Sequence, residues 1–265
     1  MIFAIEMSSQ PNAPPGRPPT LSGVLRALLE ADLTVQLRNG RALVLTFLLP
    51  LVLLYGLSAG KRRAQLGGPI VDVALALTLG IASIAILGYT ASVARDREMG
   101  VFQRLRVTPA PSWTIMLSRL AVQIVSMLVM SVVVLVAAAV VENVTLDPAA
   151  YFLTFLAVIF SSAVFLGVGQ ALVGLIKSPD TVNAVGRLSY LPLFALGLFA
   201  HSTIFGTTFE TIARWSPGGA VATLLAGAMQ PATWGADTWW ALLASILYAV
   251  VFAGIGIRWF RWSTR

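Results

Sequence analysis

The sequence predicts an all-α integral membrane protein: six transmembrane helices, an amphipathic interfacial helix before the first of them, and a re-entrant helical hairpin before the last. Three observations carry that prediction. Hydrophobic residues make up 57% of the 265-residue chain and charged residues only 11%, with a mean hydropathy of +0.84, far from the balance of a soluble domain. The apolar residues gather into six stretches, each close to the roughly 20 residues a helix needs to cross a bilayer. The densest charged segment, RDREMGVFQRLRVTPAP at 95–111, stands between two of these stretches.

That segment cannot lie in lipid. From Arg95 to Arg119 the chain carries seven formal charges. Each costs roughly 2.5–3.5 kcal/mol at the bilayer centre, about 20 kcal/mol together. The prolines at 109 and 111 disfavour helix just before each of them. A short surface helix over about 97–106 is therefore expected to stop there and the chain to turn back. On it Val101 and Leu105 share one face, with Arg97, Arg104 and Arg106 around them. A surface helix with small apolar knobs and a basic surround is a docking device.

Taken in order, residues 1–19 read as a flexible proline-rich tail, too rich in proline to fold alone. The opening MIFAI is too short for a signal-peptide core. Residues 20–265 read as a single transmembrane domain. Thr20 is a plausible N-cap for a helix over 20–39, with Leu21, Val24, Leu25, Leu28 and Leu29 on one side and Arg26, Glu30 and Arg38 on the other. Asp32 and Gln36 blur its apolar face. The pattern predicts a helix lying along the membrane surface.

The six spans are expected at about 42–59, 70–94, 120–141, 151–176, 188–205 and 239–257. Pro50 and Pro192 fall inside the first and fifth, tolerable where neighbouring helices satisfy the freed carbonyls. With the N-terminus cytoplasmic, only Lys61, Arg62, Arg63 and Arg214 of the 18 Lys and Arg residues fall outside, so both termini are expected inside. Between the last two spans, residues 212–230 are moderately apolar but broken by Ser216-Pro217-Gly218-Gly219. A full crossing there would put the basic C-terminus outside, so a re-entrant hairpin is expected.

Several chemistries are excluded or weakened. The net charge of +7 is spread over the loops instead of gathered on one solvated face, which argues against nucleic acid as a partner. Cysteine is absent, so there are no disulfides and no thiolate metal sites. Gly56-Leu-Ser-Ala-Gly60-Lys61 is one residue short of a phosphate-binding loop, lacks its final Ser/Thr and follows an apolar helix. Any nucleotide chemistry must therefore come from another chain. The single histidine, His201, has no nearby carboxylate and reads as an interfacial polar residue, and no metal site is expected. Gly167, Gly169 and Gly174 in the fourth span read as close helix packing. Asn143-Val-Thr145 matches a glycosylation acceptor, which carries no weight if the source is bacterial. The polar residues inside or near the spans are Asp72, Tyr89, Gln123, Gln170, Asn183 and Arg187. Asp72 is expected at a solvated interface. No spacing supports a catalytic dyad or triad.

The stretch Arg95-Asp96-Arg97-Glu98-Met99-Gly100-Val101-Phe102, followed by Leu105-Arg106-Val107-Thr108-Pro109, resembles the E-R-E-x-G-T-x-E-x-L-x-x-T-P signature of type-2 ABC exporter permeases, the bacterial drug, lipid and polysaccharide exporters. Asp96, Val101 and Gln103 depart from the commonest residues there. Ile212-Ala213-Arg214-Trp215-Ser216-Pro217 is similar to the I-A-x-W-x-P before that family's outer re-entrant hairpin.

The resemblance implies a permease in the bacterial plasma membrane that pairs with a second permease, identical or homologous. It also implies two cytosolic ATPase subunits, which bind the ATP and Mg that this chain does not, and contact with membrane lipids. The coupling residues it implies are Arg97, Glu98, Gly100, Val101, Phe102, Leu105, Arg106, Thr108 and Pro109. It further implies a substrate path along the first, second and fifth spans, with Tyr55, Tyr89, Tyr190 and Phe194 as candidates. The cargo expected is a drug or lipid-like amphiphile, because the spans offer few polar groups for a sugar chain. An ATP-independent channel or carrier and a non-transporting membrane anchor stay open as alternatives. Carriers often show mid-membrane ionisable pairs and internal repeats, which this chain lacks.

Overall fold

A computed structural model describes residues 21–38, 40–60, 67–101, 112–176, 178–202 and 204–259. The regular elements among them are all helical. They begin with α1 (Leu21–Arg38) and α2 (Gly40–Ser58), the latter running through Pro50. A continuous helical stretch, Pro69–Glu98, is built of α3 (Pro69–Ala82), a π-helical turn (Ser83–Tyr89) and α4 (Thr90–Glu98). Then come α5 (Ser112–Val141), α6 (Pro148–Leu175), α7 (Pro179–Phe199), α8 (Thr207–Arg214), α9 (Pro217–Met229), a 3-10 turn at Pro231–Thr233, and α10 (Ala236–Trp259).

Five described helices are long and apolar enough to cross a membrane: Pro69–Glu98, Thr114–Val141, Pro148–Leu175, Pro179–Phe199 and Ala236–Trp259. The first expected span falls on α2, whose apolar stretch Thr46–Ser58 is shorter. The ends are set by local chemistry that an apolar window does not register. Asp147 caps α6 by accepting a hydrogen bond from the Ala150 N–H at 2.7 Å, with Pro148 at the first helical position. Ser178 and Pro179 start α7 well before the apolar stretch at 188, because a polar first turn with Asp180 can still be helix. Asn143 has φ 53, and Val144 N–H reaches back to the Ala138 carbonyl at 3.4 Å. The asparagine of the apparent glycosylation motif is thus the left-handed residue that ends α5.

The Pro69–Glu98 stretch is the centre of the bundle. Every residue from Val71 to Ala82 is buried, and α3 packs against α2, α5, α6, α7 and α9. Asp72 is fully buried, which corrects its placement at a solvated interface. Val71 and Leu75 beside it pack with Ala222 of α9, Leu57 of α2 and Leu198 of α7, so the first turn of α3 is roofed by three other elements.

The most extensive helix-to-helix contact among the described residues is α6 with α10. Gly167 lies against the Ala249 carbonyl and Phe252, and Gly174 against Gly256. Gly169 instead faces the Ala85 carbonyl and Tyr89. All three glycines thus serve close packing, as their small size in an apolar run suggests.

Beyond α7 the chain forms an aromatic crown. Phe199, Phe205 and Phe209 meet edge to face, and Trp215 and Trp234 pair with Trp240 and Trp239. Ser216 caps α9 by accepting from the Gly219 N–H at 3.0 Å. A side chain on Gly218 would overlap the Leu193 carbonyl of α7. The Ser-Pro-Gly-Gly break is therefore a buried helix start packed tightly on its neighbour. Arg214 ties α8 to α10 through Asp237 at 2.8 Å and pairs with Glu210 at 2.6 Å. His201 lies with Nε2 3.5 Å from Thr223 Oγ1 on α9.

Candidate functional site at the charged end of the central helix

The last turn of α4 carries the charged segment into the fold. Adjacent helical residues project about 100° apart, so Asp96 and Arg97 leave the helix on different sides. Arg97 is buried, at 7% exposure. Its Nη2 donates to the Val173 carbonyl and its Nη1 to the Ile176 carbonyl, both at 3.0 Å. A helix leaves its last four carbonyls without intrahelical partners, and a cation is favoured at that end of the dipole. Arg97 is thus a cap for α6 delivered from another helix. Hydrogen bonds to a charged group contribute about 1.5–3 kcal/mol each.

Asp96 points the other way and forms an ion pair with Arg119 of α5, both side chains mostly buried. Next to Arg119, Ser118 Oγ donates to Asp32 Oδ2 of α1 at 2.8 Å and shares its one proton with the Ile115 carbonyl at 3.0 Å. One turn along α1, Gln36 Nε2 donates to Ser126 Oγ at 2.7 Å, and Gln123 Nε2 donates to Gln36 Oε1 at 3.2 Å. Asp32 and Gln36 therefore form a polar seam against α5. The half-buried face of α1 runs Val24, Leu25, Leu28, Leu29, Asp32, Gln36, whereas Leu33, Val35 and Leu37 are exposed. The helical spacing 25, 28/29, 32, 36 was the available signal. Polar residues extending an apolar stripe mark a helix-to-helix contact, and Ser118, Gln123 and Ser126 supply its other half.

The Asp32 carboxyl is pushed above the usual carboxylate range. Burial disfavours its charged form by more than Ser118 and Arg119 favour it, and the like charge of Asp96 adds to the burial effect.

The helix stops at Gly100, whose φ of 65 lies in the left-handed region. Met99 N–H bonds to the Arg95 carbonyl at 2.9 Å and Gly100 N–H to the Arg97 carbonyl at 3.3 Å. A side chain would be strained here, which gives the signature glycine a physical reason. Arg97 and Glu98 thus close the Pro69–Glu98 helix, and helical conformation resumes at Val101, which is half-buried. Glu98 and Met99 are exposed. Phe102, Leu105, Arg106, Thr108 and Pro109 lie outside the described residues, as does most of the helix expected over 97–106.

The four path candidates do not share one surface. Tyr55 is 67% exposed on α2. Tyr89, at the end of the π turn, is buried and its hydroxyl donates to Gln170 Oε1 of α6. Tyr190 belongs to the same buried core, and Phe194, one turn further along α7, is half-buried against it. The structure brings Tyr89, Tyr190 and Phe194 into one packed region and leaves Tyr55 apart. The glycine run at Gly56 continues as helix to Ser58, so it does not have the strand-loop-helix form of a phosphate loop.

The sequence matches the ABC-2 type transporter family over residues 24–230. It is also similar to a Bacillus subtilis (strain 168) chain that carries the name transport permease YvfS. The two are 22% identical over 237 residues, covering 86% of this chain and 94% of the other.

Proposed function

The chain belongs to the ABC-2 type transporter family, and from that premise we propose that it is the permease subunit of an ATP-driven exporter. It is a multi-pass membrane protein, and the transmembrane subunit of an ABC transporter. In the proposal it works in the bacterial plasma membrane with both termini cytoplasmic. It pairs with a second permease copy, identical or homologous, and with two copies of a cytosolic cassette ATPase that bind ATP and Mg. α2 completes six spans. α9 has 13 residues, about 20 Å at 1.5 Å per residue against a core of about 30 Å, which supports a re-entrant α8–α9 unit. The aromatic crown around it supports an outer interface there.

The observation that carries the proposal is the join at Asp96 to Gly100. The charged signature leaves the most buried helix of the bundle at the Gly100 break, and Asp96 and Arg97, in the helical turn before it, are anchored to α5 and α6. A push on residues 98–108 would therefore reach helices on both sides, as a rigid-body change of access requires. The cargo proposed is a hydrophobic or amphiphilic molecule, drug-like or lipid-like. The test is ATP-driven movement of a fluorescent phospholipid in vesicles holding the chain and its cassette ATPase. No movement of this probe or of cationic amphiphilic dyes would refute the proposed cargo. ATP turnover by the purified chain alone would refute the division of labour.

A further inference from the structure

Arg97 does more than end a helix. Its two donors reach carbonyls three residues apart at the end of α6, each from its own nitrogen of a planar, pre-organised fork, whereas a lysine would have to serve both from one flexible ammonium. α6 is in turn locked to α10, since Gly174 and Gly256 leave no room for a side chain between them. One residue earlier, Asp96 holds α5 through Arg119, and the neighbouring Ser118 holds α1 through Asp32.

We propose that Arg97 is a positioning residue that makes the ends of α4 and α6 one rigid unit. A displacement of the segment beyond Glu98 then moves α6 and α10 together, while Asp96 passes the same displacement to α5 and α1. The proposal rests on residues 98–108 receiving the ATPase. It adds that the force divides at two adjacent residues of opposite charge, and that the fork, beyond its charge, carries the α6 branch.

The test uses the full chain, which has no native cysteine. Spin labels go on Met99→Cys and Leu175→Cys, both exposed, and distances are measured by pulsed electron resonance with and without the co-expressed cassette ATPase and ATP-vanadate. In the parent the separation is expected to be narrow and unchanged by nucleotide. In Arg97→Gln the distribution should broaden about twofold and shift with nucleotide, with Arg97→Lys between the two. Because lysine keeps the charge, it reports on the fork even if the glutamine variant fails to fold.

A distribution in Arg97→Lys and Arg97→Gln as narrow as the parent's overturns the latch. A parent separation that changes with nucleotide overturns the rigid unit. Val101→Asp separates this from the underlying function. It should abolish co-purification of the ATPase while leaving the Met99–Leu175 distance intact. If the ATPase still co-purifies with Val101→Asp and still drives transport, the docking role of the segment is wrong and the positioning role falls with it, whatever the distance shows.

Discussion

Gly174 and Gly256 face each other so closely that a Cβ on Gly174 would stand 2.9 Å from the Gly256 carbonyl oxygen. α6 and α10 are therefore in backbone contact, and their separation is set by the absence of two side chains. A Cβ on Gly256 would meet the Gln170 backbone carbonyl carbon at 2.8 Å. Gly256→Leu is expected to lower stability by about 1–3 kcal/mol, with a clear fall in melting temperature by fluorescence-detected gel filtration. Gly254→Leu is the control, because a Cβ there meets nothing within 4 Å. Equal melting temperatures for the two variants would show that the α6–α10 contact does not hold the fold.

Gly100 should tolerate few replacements. With φ at 65, a β-branched residue costs about 1–2 kcal/mol, concentrated at the join between the central helix and the signature segment. Gly100→Val should reduce ATP-driven transport more than Gly100→Asn, since asparagine accepts the left-handed region. The reverse order would show that the backbone angle is not the constraint.

Asp32 has a sign that can be checked. Its folded carboxyl titrates above the unfolded value, so its favourable contribution is complete below the unfolded pKa and is lost as pH rises through the folded one. At neutral pH the charged form costs stability. Asp32→Asn keeps an acceptor for Ser118 and removes that cost, so the variant should be at least as stable as the parent at pH 7. The difference should shrink toward about pH 4, near the unfolded carboxylate value. A variant clearly less stable at pH 7 would mean that attraction to Arg119 outweighs burial.

Val101 follows the glycine break and is the described member of the apolar pair expected to dock. Val101→Asp would bury an unpaired charge at that contact, a cost of several kcal/mol. Stimulated ATPase activity and vesicle transport should fall by more than about tenfold, with insertion and folding retained. Gln103→Ala should behave like the parent. Equal activity in the two variants would remove the mechanical basis of the proposed exporter function.

The proposed topology predicts opposite accessibility for two single cysteines. Met99→Cys should react with an impermeant reagent only from the cytoplasmic face, and Thr145→Cys, exposed between α5 and α6, only from the outside. Labelling of both from one side would overturn the orientation.

The membrane class and most helix positions were legible because they depend on one local quantity, the cost of putting a residue in lipid. A run of apolar residues such as 151–176 meets that condition without any partner. Helix ends were less legible where a cap decides them, as at Asp147 and Ser178, since one hydrogen bond outweighs several residues of hydropathy at a terminus. The π turn at Ser83–Tyr89 left no mark in composition at all.

Of the candidate site, Arg97 and Gly100 were identified by the resemblance of their segment, and the glycine's backbone angle agrees with its residue type. The partners were beyond the sequence. Nothing local to Arg97 names Val173 and Ile176, 76 and 79 positions away, because any buried cation can satisfy the end of any helix that reaches it. Likewise Asp32 and Gln36 looked like blemishes on an apolar stripe until α5 supplied Ser118, Gln123 and Ser126. Burial in lipid is a property of each residue and can be summed along the chain. A buried polar contact is a property of two surfaces, and only the tertiary packing decides which two meet.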